Sequence, residues 1–197
     1  MELQSLRQEI DALGEAEWTS WSHAYGRARD TPGHLAALLG DDLEAQEGAA
    51  YHFQSAIVHQ YTVWPASPDA FGLLIRVLRV KPLPTKVLED CLEALAESAE
   101  YLGDVPTGTP IPELSPAARV RLDQVEDEDD DDEDDEVEEW VEEEDEEVDD
   151  EAVDEEVWNW VLARMAALRP AVTELVDELA DRAPAACAEV REAWQPK

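Results

Sequence analysis

The sequence predicts an all-α protein: a short helical solenoid or bundle, interrupted by a long acidic, partly disordered insertion and closed by C-terminal helices. Three observations predict this. Leucine, alanine and aromatic residues recur at three- and four-residue spacing through most of the chain. Thr31-Pro32, Ser67-Pro68 and Ser115-Pro116 each set a hydroxyl beside a proline, the signature of a helix start. Between Glu126 and Glu156, 25 of 31 residues are Asp or Glu, a composition no core could hold.

Taken in order, Leu3, Leu6, Ile10 and Leu13 form a helical stripe that stops at Gly14, and Trp18, Trp21 and Tyr25 extend the spacing into a second short helix before Gly26. Thr31-Pro32 opens a helix through Leu35, Leu38 and Leu39 that closes at Gly40. Asp41 or Asp42 caps a longer one carrying Leu43, Ala50, Phe53, Ile57 and Val58. Ser67-Pro68 starts Phe71, Leu74, Ile75 and Leu78, whose period continues through Val77-Leu78-Arg79-Val80 and favours helix there over strand. Thr85 starts Leu88, Cys91, Leu92, Leu95 and Leu102. No convincing strand separates these helices.

Pro106, Pro110, Pro112 and Pro116 mark a boundary, and Ser115-Pro116 restarts a short helix through Val125. Past the acidic run, Val157, Trp160, Val161, Met165 and Leu168 form one stripe. Val172, Leu175, Val176 and Leu179 form another after Pro170, and Pro184 opens a last helix with Cys187, Val190 and Trp194. The expected organisation is a helical domain over 1–103, a proline-rich linker and short helix over 104–125, an acidic low-complexity tract over 126–156, and C-terminal helices over 157–197. Those last helices are expected to pack on the first domain.

The segment from Trp21 to Val80 contains His23-Ala24-Tyr25-Gly26, the Thr31-Pro32 helix start, and His59-Gln60-Tyr61-Thr62-Val63-Trp64-Pro65-Ala66-Ser67-Pro68. With these motifs the first half of the chain, roughly residues 18–102, resembles bacterial HEAT-repeat-like proteins. It departs from their pattern at Gln46-Glu47, where a basic residue is usual, and at Tyr61, where a small one is. The resemblance implies an α-solenoid scaffold for binding macromolecules, in a family some of whose members are suspected toxin-immunity proteins. It implies no catalytic chemistry.

The formal net charge is −36, but no Lys or Arg occurs between Arg121 and Arg164, an interval holding 26 acidic residues. Without that interval the charge is about −10, ordinary for a soluble protein. Such a tract repels nucleic acid and anionic membranes, so the expected partner is a basic protein, either a toxin or a nucleic-acid-binding protein. The long-range attraction is assigned to Glu126, Asp127, Glu128, Asp129, Asp130, Asp131, Asp132, Glu133, Asp134, Asp135 and Glu136. Val137, Trp140, Val141 and Val148 are assigned to contact, because the three valines share a narrow helical stripe with Trp140 beside it. A helical tract would carry one charge per ~1.9 Å, close to the ~1.7 Å of duplex DNA. The alternatives are a passive acidic spacer and a weak collector of divalent cations. In the spacer case the helices bind a peptide through Trp18, Trp21, Tyr51 and Trp64.

No cofactor, metal or active site is expected. His52 and His59, seven apart, are read on one face of a helix, and His23 and His34 as turn or surface residues; a metal would lack a third ligand. The chain has no phosphate loop, nucleophile elbow or zinc-finger spacing. Cys91 and Cys187 lie in helical patterns and are expected to be buried free thiols. With no signal-peptide pattern and no run of 18 apolar residues, the expected location is cytoplasmic.

Overall fold

The computed structural model describes residues 2–13, 18, 20–124 and 149–196. Helix α1 (Glu2–Leu13) is followed by an antiparallel hairpin of β1 (Ser22–His23) and β2 (Gly26–Arg27). Helices α2 (Thr31–Leu38) and α3 (Leu43–His52) come next, and α3 ends in a single π turn over Phe53–Ile57. A second hairpin joins β3 (Val58–His59) to β4 (Thr62–Val63) and leads into α4 (Ser67–Val80) and α5 (Thr85–Glu97). After an irregular stretch come α6 (Pro116–Asp123), α7 (Asp150–Ala166), α8 (Arg169–Leu179) and α9 (Pro184–Ala193). The described residues are therefore mainly helical.

The hairpins correct the helical reading of Trp18 to Tyr25 and the expectation that no strand intervenes. Helical spacing of three aromatics is outweighed by Gly26, whose φ of 109° is open to glycine and closes the Ala24-Tyr25 turn. The second hairpin stops α3 short of Val58 in the same way. Its two-residue loop, Gln60-Tyr61, has positive φ at both positions (51° and 66°), the geometry of the tight turn that suits right-twisted strands. His59 stands 36 residues after His23, Tyr61 after Tyr25, and Ser67-Pro68 after Thr31-Pro32, so a unit of hairpin, helix and helix occurs twice. Backbone bonds from Ala24 N–H to the Ala56 carbonyl and from Ala66 N–H to the Ser22 carbonyl, both 3.0 Å, tie the units together.

Helix starts follow their caps. The Asp42 carboxylate accepts from the Glu44 and Ala45 amides, and the Ser115 hydroxyl from Ala118 N–H. At α2 the residue before the helix is Asp30, so Thr31 and Pro32 occupy the first turn rather than the cap, and Asp30 is left for another use.

Helix α4 buries Ala70, Phe71, Leu73, Leu74, Ile75, Val77 and Leu78, more than one face. Only Arg76 and Arg79 stand exposed on it, and a helix apolar over most of its surface lies in the middle of a fold. Accordingly α4 is contacted by α1 and α2 and also by α7 and α8, while α5 bridges α3 and α9. The C-terminal helices thus pack on the N-terminal ones, with Cys91 and Cys187 both buried and free.

Two buried polar contacts lock that packing. Arg169, 5% exposed at the start of α8, donates from Nη1 to the Val105 carbonyl (2.5 Å) and from Nη2 to the Leu102 carbonyl. These bonds hold the irregular chain that follows α5, and burial lowers the guanidinium pKa. Trp194 Nε1–H donates to the Leu95 carbonyl at 2.6 Å. Arg169→Leu leaves the Val105 carbonyl without a donor and the Leu102 carbonyl with only the Val105 N–H at 3.0 Å, and is expected to cost about 1–3 kcal/mol in denaturant unfolding, with Arg169→Lys recovering less than half.

A second prediction concerns the strained turn. Tyr61→Val places a β-branched residue at positive φ and is expected to lower stability by about 1–2 kcal/mol, whereas Tyr61→Gly leaves it equal or higher by up to about 1 kcal/mol. Thermal unfolding of the two variants checks the order.

Candidate functional site

Among the described residues, two places gather side chains capable of chemistry. The first contains all four histidines of the chain. His23 sits in β1, His34 in α2, His52 at the end of α3 and His59 in β3, so the sequence reading of His52 and His59 on one helix face is corrected by the π turn and strand between them. The His23 ring meets His52 edge-on, His34 stacks on His52 with centroids 4.0 Å apart, and His59 meets Tyr25 edge-on. His23, expected in a turn or at the surface, is in the hairpin but buried, as is His52.

Asp30 organises the cluster. Its Oδ1 accepts from His23 Nε2 at 3.0 Å, while Oδ2 stands 3.7 Å from His52 Nδ1 and 3.9 Å from His34 Nε2. Burial pushes the Asp30 carboxyl up, but the His23 hydrogen bond and the charges of His52, His23 and His34 prevail and bring it to about 2. Burial, with help from neighbouring His34, pushes His52 down to about 3, so it is neutral at pH 7. His34 is lowered too, chiefly by burial.

His23, Asp30 and His52 offer ligand atoms within 4.8 Å of one another, the three-ligand set that sequence reading could not find. The tautomer of His23 counts against a metal there. Its Nδ1 accepts the Tyr25 backbone N–H at 3.1 Å, so the ring proton resides on Nε2 and is donated to Asp30. A histidine that binds metal through Nε2 shows the reverse pattern, with Nδ1–H donating to an acceptor. The Thr31 hydroxyl lies 3.0 Å from His52 Nε2, which sets a hydroxyl, an imidazole and a carboxylate in the order of a hydrolytic relay. Thr31 has no exposed surface and His52 is 6% exposed, so no substrate carbonyl reaches that oxygen. The cluster acts as a polar knot, with His23, Thr31 and His52 buried beneath an exposed Asp30, that joins the first hairpin, α2 and α3.

The second place lies where the chain leaves α6 and returns on α7. Arg121 grips the Asp154 carboxylate through Nε and Nη2 at 2.9 and 3.3 Å. The Ser115 amide and hydroxyl donate to Glu156 at 2.5 and 2.8 Å, and these bonds lower the Glu156 pKa. Arg27 donates to the Asp123 carbonyl, connecting the end of α6 to the first hairpin. Beside this clamp is a pocket of about 390 Å³ walled by Val63, Trp64 and Pro65, by Leu122, and by Val157, Trp158 and Val161. Ser22, Thr62, Arg121, Gln124 and Asp154 supply its polar edge.

The partner-binding residues assigned from sequence, Glu126 to Val137, Trp140, Val141 and Val148, lie outside the described residues. The last seven residues of the acidic run, Asp150–Glu156, form the first two turns of α7, which begins earlier than the expected 157. Asp149 caps it by accepting from Ala152 N–H, and acidic side chains suit a helix N-terminus. Of the aromatics assigned to a peptide-binding face, Tyr51 is exposed, but Trp18 is buried and Trp21 is stacked on Trp160 at 5.3 Å. Arg164 lies 5.0 and 4.5 Å from those two rings and bonds Asp69 at 2.7 Å. Asp30, Arg121 and Leu122 are the residues sequence reasoning missed. Asp30 carried a signal in its position just before Thr31-Pro32, where a cap belongs.

The depressed His52 pKa gives a pH prediction. Above pH 6.5 the imidazole is neutral folded and unfolded; as pH falls from 6.5 toward 3 the unfolded chain takes up a proton the folded one refuses, and stability is lost. Asp30 adds its loss only below about pH 3.8. Wild type is therefore expected to lose up to about 3 kcal/mol more than His52→Gln between pH 7 and 4.5, measured by urea unfolding of both. No family model, curated protein or solved structure matches the chain.

Proposed function

We propose that the chain is a non-enzymatic interaction protein in which a HEAT-like helical scaffold presents the acidic tract to a basic protein and neutralises it. One observation supports the reading above the others. The segment that precedes the tract is clamped to the tract's last residues by Arg121–Asp154 and Ser115–Glu156, so the acidic interval leaves the folded body and returns to it at one place. A solubility tail needs one attachment and no clamp. The charge is concentrated where it is tied, with 25 acids in 31 residues and no Lys or Arg between Arg121 and Arg164. A field of that sign steers cationic proteins inward and repels nucleic acid.

No helix among the described residues is long and apolar enough to cross a membrane. The buried state of Thr31 and His52 supports binding over catalysis.

The test is capture from the native cell extract on immobilised full-length chain, beside a variant with every Asp and Glu from 126 to 136 changed to Asn or Gln. Basic proteins are expected on the wild type, released as salt rises and the Debye length shrinks below about 8 Å, and lost from the variant. Equal capture by both, insensitive to salt, would falsify the reading.

A further inference from the structure

The pocket beside the α6–α7 clamp has features that the charge of the tract does not explain. Its walls are apolar, with Val63, Trp64, Leu122, Val157 and Trp158 surrounding about 390 Å³, a volume that accommodates one large side chain with room for adjoining backbone. Val157, Trp158, Trp64 and Leu122 are only half-buried, so the pocket opens to the surface. The surface around it has the opposite character: Asp154 is at its edge, and Asp123, Asp149, Asp150, Glu151 and Glu155 are exposed on the adjoining ends of α6 and α7. Arg121, committed to Asp154, is the cation of the pocket wall.

An apolar hole with an anionic margin fits one kind of guest best. We propose that this pocket receives a large apolar side chain, aromatic or branched, from a segment of the partner in which that residue is flanked by Lys or Arg. The proposal rests on the reading of the chain as a binder of a basic protein and adds the contact that gives it selectivity. Charge attraction across water discriminates poorly among cationic proteins, because it depends on net charge and distance. A buried anchor in a fitted pocket discriminates by shape, and such anchors carry most of the energy in protein interfaces. The margin attracts flanking Lys or Arg and disfavours the same anchor in an acidic segment. The guest lies between α6 and α7 and the second hairpin, so its binding also braces the clamp that holds the tract.

The experiment uses the full-length chain and three dye-labelled peptides of equal length: Lys/Arg-rich with a central Trp, the same with a central Ala, and Glu-rich with a central Trp. Anisotropy titrations are run at low and at moderate salt. The basic Trp peptide is expected to bind about tenfold tighter than the basic Ala peptide at both salts, while both weaken as salt rises; the Glu-rich peptide is expected not to bind. Val157→Trp and Leu122→Trp, each filling the pocket from a half-buried position, are expected to bring the Trp-to-Ala ratio to about one, with circular dichroism confirming that each variant is folded. A ratio of one in the wild type, or a ratio kept in a folded filled variant, overturns the pocket assignment. Tight binding of the Glu-rich Trp peptide overturns the choice of a basic guest. Affinity for both basic peptides that ignores salt defeats the underlying reading of the tract instead, so the two failures are distinct.

Discussion

Electrostatic repulsion within one stretch of chain sets the terms for the rest of the molecule. Twenty-six carboxylates between Arg121 and Arg164 have no cation of their own interval to offset them. Bringing the two flanks of such a stretch together costs loop-closure entropy and works against like charge. The fold meets this with contacts that are short in reach and varied in kind: a bidentate guanidinium on Asp154, a serine amide and hydroxyl on Glu156, and an arginine from the first hairpin on the Asp123 carbonyl. Exposed ion pairs alone are worth little. Here the one pair, Arg121–Asp154, sits where α6 packs on α7, and α7 is in turn held on α4. The core holds α7, and the ion pair with the Ser115–Glu156 hydrogen bonds sets α6 in register against it.

That core is organised around α4, most of whose side chains are buried. Because α4 and α5 touch the N-terminal helices and the C-terminal helices alike, the molecule has no cut between its halves that avoids them. Arg169 shows what this arrangement demands. A guanidinium is tolerated there because it donates to two carbonyls of the irregular chain after α5, one of which, that of Val105, an apolar replacement would strand. The histidine cluster follows the same logic. Asp30 is free to serve three imidazoles because Thr31 and Pro32 take the first turn of α2, and the imidazoles join segments that apolar packing alone would not place in register.

Much of the helical pattern was legible in the sequence, because Pro-marked starts and amphipathic stripes are local signals. Thr31-Pro32, Ser67-Pro68, Thr85, Ser115-Pro116 and Pro184 all stand at helix starts. What local reading misjudged were the two hairpins. Trp18, Trp21 and Tyr25 carry helical spacing, and the decision lay with one glycine at positive φ and with backbone bonds to Ala56 and Ala66 far along the chain. The earlier start of α7 was hidden by composition: Asp150 to Glu156 looks like acidic run until the Asp149 cap, the Arg121–Asp154 ion pair and the Ser115–Glu156 hydrogen bonds are seen. The histidine cluster was illegible for a related reason, since the hairpin and π turn that gather its members leave no fixed spacing among them. The pocket was invisible because its walls come from three distant segments.

The stacked pair of Trp21 and Trp160 has a consequence of a different sort. One indole comes from the chain just before the first hairpin and the other from α7, and their planes are within 6° of each other at 5.3 Å with the Arg164 guanidinium against both. Two parallel chromophores that close couple their electronic transitions, and a cation near an indole alters its emission. The molecule thus carries a built-in optical gauge of whether α7 is docked, readable in near-ultraviolet dichroism without any label.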